Sequence, residues 1–156
     1  MRKTLKRCWV LASVLPLASS AQFNNVLNVS SIPPVSVKAG AEVEVKARVR
    51  LSAGYHVNSH TPSDEFLIPL RLTWTAAPLE VRSVEFPKPH MEKYPFSEKP
   101  LSVFTGDFDI TTRFHAPASA PKGQKTISGK LRYQACSQTA CLPPRSVEVS
   151  FQATVH

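Results

Sequence analysis

The residues best suited to chemistry are two cysteines in the stretch Tyr133-Gln134-Ala135-Cys136-Ser137-Gln138-Thr139-Ala140-Cys141-Leu142-Pro143-Pro144. Joined, they close a loop of about six residues, for which loop-closure entropy supplies about 2 kcal/mol, the small end of what a disulfide contributes. Exchange chemistry needs more than a bond. A partner thiolate must approach one sulfur in line and displace the other, and a second cysteine in reach must resolve the mixed disulfide. Cys136 and Cys141 meet the second condition by proximity. Their spacing is not the C-x-x-C of a thioredoxin-like helix start. It is also too short for the core disulfide of an immunoglobulin domain, which links two sheets across a large sequence gap. Spacing alone therefore reads first as a staple and second as a reagent.

The run ahead of the pair sets its direction. Ile127, Gly129, Leu131, Tyr133 and Ala135 alternate with Ser128, Lys130, Arg132 and Gln134. If Tyr133 and Ala135 point inward, Cys136 falls on the outer face with Arg132 and Gln134. It is then expected to be accessible rather than buried in the core.

Other constellations are weaker. His56, His60, His90, His115 and His156 show no ligand spacing, and Met91 is the one methionine beyond the first segment. A copper site would want His, Cys and often Met converging, so no metal is expected. Ser, His and Asp are all present, but without a nucleophile-elbow motif. The stretch 87–100, PKPHMEKYPFSEKP, holds four prolines with Glu92, Tyr94 and Phe96. It reads as a long loop, of a kind that is usually functional or disordered. Its aromatic residues are either loop anchors or a cover for something reactive.

The elements that must position these residues read as strands. Val43, Val45, Ala47, Val49 and Leu51 alternate with Glu44, Lys46, Arg48 and Arg50, so residues 42–51 form a strand with one wet face. Val26 to Ile32 opens an earlier strand, which Pro33-Pro34 ends. Gly54 allows a turn into Tyr55-His56-Val57-Asn58, and residues 59–67 read as a loop. Leu70, Leu72 and Trp74 share a face, and Pro69 suits a strand start or an edge. Leu79 to Phe86, Phe104 to Phe114 and Val147 to Val155 complete the set, with a Pro/Ala/Ser linker at 116–121. Seven or eight short strands, bounded by prolines and lacking a helical period, predict an all-β sandwich of immunoglobulin-like type.

The 156 residues suffice for one domain. Residues 1–21 are expected to be a secretory signal: Arg2, Lys3, Lys6 and Arg7 precede an apolar run from Cys8 to Leu17, and Ser19-Ser20-Ala21 supplies small residues for cleavage. Residues 22–156 then form the domain. No later stretch reads as a membrane span. Without the signal, 15 Lys and Arg face 11 Asp and Glu, a formal charge of +4. These charges alternate with apolar residues along strands, which is a solvated sheet face and no footprint for nucleic acid. Two cysteines in an exported chain imply an oxidising compartment.

The segment Tyr133 to Cys136, with Cys141-Leu142-Pro143-Pro144, resembles the cysteine segment of the N-terminal periplasmic domains of DsbD, the bacterial thiol:disulfide interchange proteins. Ala53-Gly54-Tyr55-His56-Val57-Asn58 and the strand Leu70-Arg71-Leu72-Thr73-Trp74 resemble the early region of the same domain. The likeness runs in order along nearly the whole chain beyond the signal, and the cysteine segment is its most specific part. It implies an immunoglobulin-like fold, a Cys136/Cys141 pair cycling between dithiol and disulfide, and no cofactor. It implies a periplasmic location, electrons from a thioredoxin-like protein, and periplasmic disulfide proteins as acceptors. It implies an aromatic loop over the pair, for which Glu92, Tyr94 and Phe96 stand in the matching place. Tyr55 and His56 fall where the family has aromatic residues near the cysteines, and Tyr133 stands beside them as a further supporting residue. The chain shows neither the membrane electron-conducting part nor the thioredoxin-like domain of DsbD, so a separate donor is expected. The alternative is an exported binding module in which the disulfide only pins a hairpin.

Overall fold

A computed structural model describes residues 26–156; the segment assigned to a secretory signal lies outside the described residues. Among the described residues, twelve strands build three sheets. The first sheet has the order β1 (Leu27–Val29), β3 (Glu42–Leu51), β9 (Asp107–His115), β6 (Glu80–Glu85). The second runs β2 (Val35–Val37), β12 (Arg145–Val155), β10 (Gly123–Tyr133), β5 (Arg71–Thr75). The third runs β11 (Ala135–Cys136), β4 (His56–Asn58), β8 (Leu101–Thr105), β7 (His90–Glu92). All pairings are antiparallel except β12 with β2. No helix occurs among the described residues, and none is long and apolar enough to cross a membrane. The architecture is the expected immunoglobulin-like sandwich.

The long strands follow their sequence period. Along β3, Val45, Ala47, Val49 and Leu51 are buried while Glu44, Lys46, Arg48 and Arg50 are exposed. β10 and β12 pair in register over their whole length, from Gly123 opposite Val155 to Tyr133 opposite Arg145. The first two sheets face each other across two apolar clusters. One gathers Val45, Ala47 and Phe114 against Ile127, Phe151 and Ala153. The other gathers Leu27, Val49 and Ile110 against Leu72, Leu131 and Val149, and continues into Val57, Phe104 and Ala135 of the third sheet. Trp74 ties the layers together. Its Nε1 donates to Thr112 Oγ1 at 3.0 Å, and its ring meets Phe114 and Phe151 edge-on at 5.4 and 5.6 Å. Gly129 lies opposite Trp74 in the register because the indole occupies the space of a side chain there. Pro69 precedes β5, which is an edge strand as expected.

Three sequence expectations need correction. The run from Phe104 to Phe114 is two strands: Gly106, with φ of 64°, turns the chain from the third sheet into the first. The segment 87–100 is not all loop, since His90–Glu92 pairs with Leu101–Thr105. The count of seven or eight strands misses short ones, among them β4 and β7 of three residues and β11 of two, which belong to the third sheet. That sheet stands at one end of the sandwich and positions the cysteines.

Candidate functional site

Cys136 and Cys141 form a disulfide. The geometry follows from the local chain. Ser137 N donates to Ala140 O at 2.8 Å, and Leu142 N donates to Ala135 O at 2.8 Å. These two bonds flank the cysteines, which makes them a non-hydrogen-bonded antiparallel pair, the closer of the two pair types. Their Cα atoms are 3.9 Å apart. The turn between them is organised by one hydroxyl. Ser137 Oγ accepts from Thr139 N and Ala140 N, and donates to Ala140 O at 3.1 Å. The Gln134 amide donates to Leu142 O at 3.1 Å and ties the two arms together.

The phase reading of Cys136 holds, but the exposure does not. Tyr133 and Ala135 belong to the core cluster, so Cys136 projects from the opposite face of the third sheet. It is nevertheless only 1% exposed, whereas Cys141 is exposed. Beside Cys136, this outer face carries an aromatic roof over His56. Register places Cys136, His56 and Thr105 in one row across β11, β4 and β8. Tyr94, in the loop after β7, is 1% exposed and packs with Leu101 and Val103 on the same sheet. Its ring stacks on His56 at a centroid distance of 3.9 Å. Phe96 continues the stack on Tyr94 at 5.4 Å and is 44% exposed. Three rings thus run from the row of Cys136 to solvent.

The roof is held by polar contacts. Tyr94 donates its hydroxyl to Glu92 Oε2 at 2.8 Å. His90 Nε2 is 3.6 Å from Glu92 Oε2 and 3.2 Å from Thr105 Oγ1. Behind Tyr94, Ser97 N donates to Tyr94 O at 3.1 Å, and Lys93 Nζ donates to the carbonyls of Ser97 and Glu98. Burial first, then the hydrogen bond and charge of Glu92, hold the Tyr94 phenol far above its ordinary range. Burial keeps the His56 imidazole below its usual value, with His90 adding to the effect and Glu92 opposing it. A cavity of about 290 Å³ opens beside the roof, lined by Tyr55, His56, Glu92, Tyr94, Thr105 and Gln138 among others.

The structure therefore brings together Cys136, Cys141, His56, Glu92, Tyr94 and Phe96, with Tyr55 at the cavity wall. It does not bring Tyr133 to the site. That ring is 2% exposed inside the core cluster, its phenol raised by burial against the opposing charge of Arg145. Sequence reasoning missed Thr105, which completes the row, and Ser137, which shapes the turn. A serine hydroxyl bonding its own backbone two or three residues on is a turn signal that composition offered for Ser137. Nothing in the sequence marks Thr105. Among the described residues no group of His, Cys, Asp and Glu is arranged to hold a metal ion.

Fold and site define a class: a small immunoglobulin-like sandwich carrying a short cross-strand disulfide beside an aromatic roof. Residues 24–153 match the family model described as thiol:disulfide interchange protein DsbD, N-terminal, and the chain belongs to that family. Among solved structures it is similar to the N-terminal periplasmic domain of ScsB from Proteus mirabilis, with TM-score 0.53 and 13% identity over 80% of this chain. The chain spans 44% of the length of that ScsB structure. It is also similar to the DsbD N-terminal domain of Neisseria meningitidis in its reduced form, with TM-score 0.49 and 19% identity, covering 74% of this chain and 82% of that one. No curated protein matches the chain.

Proposed function

We propose that Cys136–Cys141 is a redox centre that exchanges electrons with protein dithiols and disulfides in the bacterial periplasm. The observation that carries this reading is the asymmetry of the pair: one cysteine is exposed, and its partner is buried beside His56, on which an aromatic stack rests. A staple needs no such asymmetry, whereas exchange needs one sulfur within reach of a partner thiolate. Family membership and the periplasmic ScsB domain support the same chemistry and compartment.

In this reading a thiolate of a thioredoxin-like donor attacks the sulfur of Cys141. A new S–S bond forms to the donor, the Cys136–Cys141 bond breaks, and the electron pair leaves on Cys136. The donor's second thiol then attacks its own bridged sulfur, releasing Cys141. The domain gains two electrons and two protons, and the donor ends as a disulfide. The reduced pair reduces periplasmic disulfide proteins by the reverse sequence. The redox centre is made of side chains, so the chemistry calls for no cofactor, and the domain acts as a component of a protein-disulfide reductase.

The test is equilibration with glutathione, followed by trapping. Exchange predicts a reduction potential above about −300 mV, the bound below which structural disulfides usually lie. It also predicts a mixed disulfide with a thioredoxin-like protein in Cys136→Ser, where Cys141 remains, and far less in Cys141→Ser. A potential well below that bound, with no trapped complex in either variant, means the disulfide only pins the hairpin.

A further inference from the structure

The exchange reading leaves one buried imidazole unexplained. His56 is 2% exposed and stands directly opposite Cys136 on the neighbouring strand. Directly opposed residues of an antiparallel pair share a face, with Cβ atoms about 4.5–5.5 Å apart. The Nε2 of His56 is buried and has no hydrogen-bond partner among the described residues. A buried ring nitrogen without a partner is destabilising, so its retention points to a state in which it has one.

The groups that surround His56 are already engaged. Tyr94, stacked on it from the roof, gives its hydroxyl to Glu92. Thr105, opposite it on β8, shares a hydrogen bond with His90 of β7, and His90 also faces Glu92. Cys136 of β11 is the remaining neighbour in the row, and in the disulfide its sulfur carries neither proton nor charge.

From this geometry we infer that His56 is the proton partner of Cys136: its Nε2 is unsatisfied in the disulfide and satisfied once the disulfide opens. The inference rests on the exchange reading and adds a residue to it. When a donor thiolate bonds to the sulfur of Cys141, the leaving electron pair resides on Cys136. One proton is then shared between that sulfur and Nε2, as a thiolate accepting from N–H or as a thiol donating to the ring lone pair. A hydrogen bond to the ionised sulfur is the stronger of the two. The proton and electrons come from the donor dithiol, and no other reactant is needed. His56 thereby favours the opened pair over the closed one. Burial keeps the ring neutral while the disulfide is closed, so its nitrogen lone pair is free to accept that proton, and an ionised sulfur beside it would favour the protonated ring that burial disfavours.

The test uses the full chain with Cys8→Ser and Cys141→Ser, which leaves Cys136 as its one thiol. The thiolate of Cys136 is titrated by its ultraviolet absorbance, with His56 intact, with His56→Phe and with His56→Gln. Phenylalanine keeps a ring to stack on Tyr94 and removes the nitrogen; glutamine keeps an N–H donor that does not titrate. The expected result is roughly tenfold or more loss of thiolate at a fixed pH in His56→Phe. Partial recovery is expected in His56→Gln. Three superimposable titrations in folded protein overturn the inference. If His56→Phe does not fold, an unshifted titration in His56→Gln together with an unchanged pH profile of disulfide reduction overturns it. Failure of the intact protein to exchange with any dithiol removes the exchange reading instead, and the thiolate titration reads His56 independently of that outcome.

Discussion

Tyr94 offers the sharpest handle on the site. The perturbation is Tyr94→Ala or Tyr94→Phe, each combined with Cys8→Ser and Cys141→Ser so that Cys136 alone reports. Two interactions hold the ring over the row of Cys136. Its stack on His56, at 3.9 Å, is of the kind worth about 0.5–1.5 kcal/mol beyond area burial. Its hydroxyl bond to the Glu92 carboxylate, at 2.8 Å, is of the kind worth about 1.5–3 kcal/mol. Together they favour the closed roof by about 2–4.5 kcal/mol. If Cys136 reacts only when the roof opens, its open population rises by the corresponding factor, about thirty- to a thousandfold at 1.4 kcal/mol per decade. Tyr94→Phe removes only the hydroxyl bond and should give about ten- to a hundredfold. The assay is the rate of alkylation by iodoacetamide at constant pH, with circular dichroism to verify the fold. The control is Cys141 in the matching Cys136→Ser background. That residue is already exposed, so its rate should change by less than about threefold. Equal acceleration of both cysteines would refute the roof, and so would an unchanged Cys136 rate in folded protein.

Three further outcomes follow from the same geometry. In the intact pair, Tyr94→Ala with Phe96→Ala should speed reduction by a small thiol, followed by loss of disulfide on a gel; an unaltered rate means the loop does not shield the pair. Gly129→Ala should destabilise the fold by about 1–3 kcal/mol in urea unfolding, because its Cβ would sit 2.5 Å from Trp74 Cε3 and 2.9 Å from the Thr73 carbonyl. Stability should also bend at both ends of the pH scale. His56 has a folded pKa below its unfolded value of about 6.5, so the unfolded chain binds more protons just below that pH and stability falls as the medium is acidified through it. Tyr94 has a folded pKa above its unfolded value of about 10, so stability falls as pH rises past 10. Urea midpoints across pH 5 to 11 check both, and His56→Phe should flatten the acid limb alone.

Legibility in the sequence tracked burial on one face. β3 and β12 are half-wet, and their period-two patterns gave their bounds nearly to the residue, whereas β10 begins at Gly123, ahead of the alternation from Ile127, because its first four residues are all exposed. The third sheet was obscure because its strands β4 and β8 are dry on both faces. His56, Val57 and Asn58 are all buried, as are Leu101 through Phe104, so no alternation betrays them. The burial of Cys136 was likewise hidden. Strand phase correctly turned it away from Ala135, but its row also holds His56, on which Tyr94, some 40 residues earlier in the chain than Cys136, rests through a ring stack that no local pattern encodes. Tyr133 was drawn to the site by nearness in sequence and removed from it by the same alternation.

The two backbone bonds that flank the cysteines have a consequence for timing. They join Ser137 to Ala140 and Leu142 to Ala135, and neither passes through sulfur. Opening the disulfide therefore leaves the hairpin zipped, and the freed thiol stays beside the cysteine that holds the partner. Such enforced nearness corresponds to effective concentrations far above those of any free thiol in solution. Under the exchange proposed above, the hairpin itself would set how long an acceptor protein stays bridged to Cys141, since Cys136 is held ready to return to that sulfur and expel the acceptor's thiol.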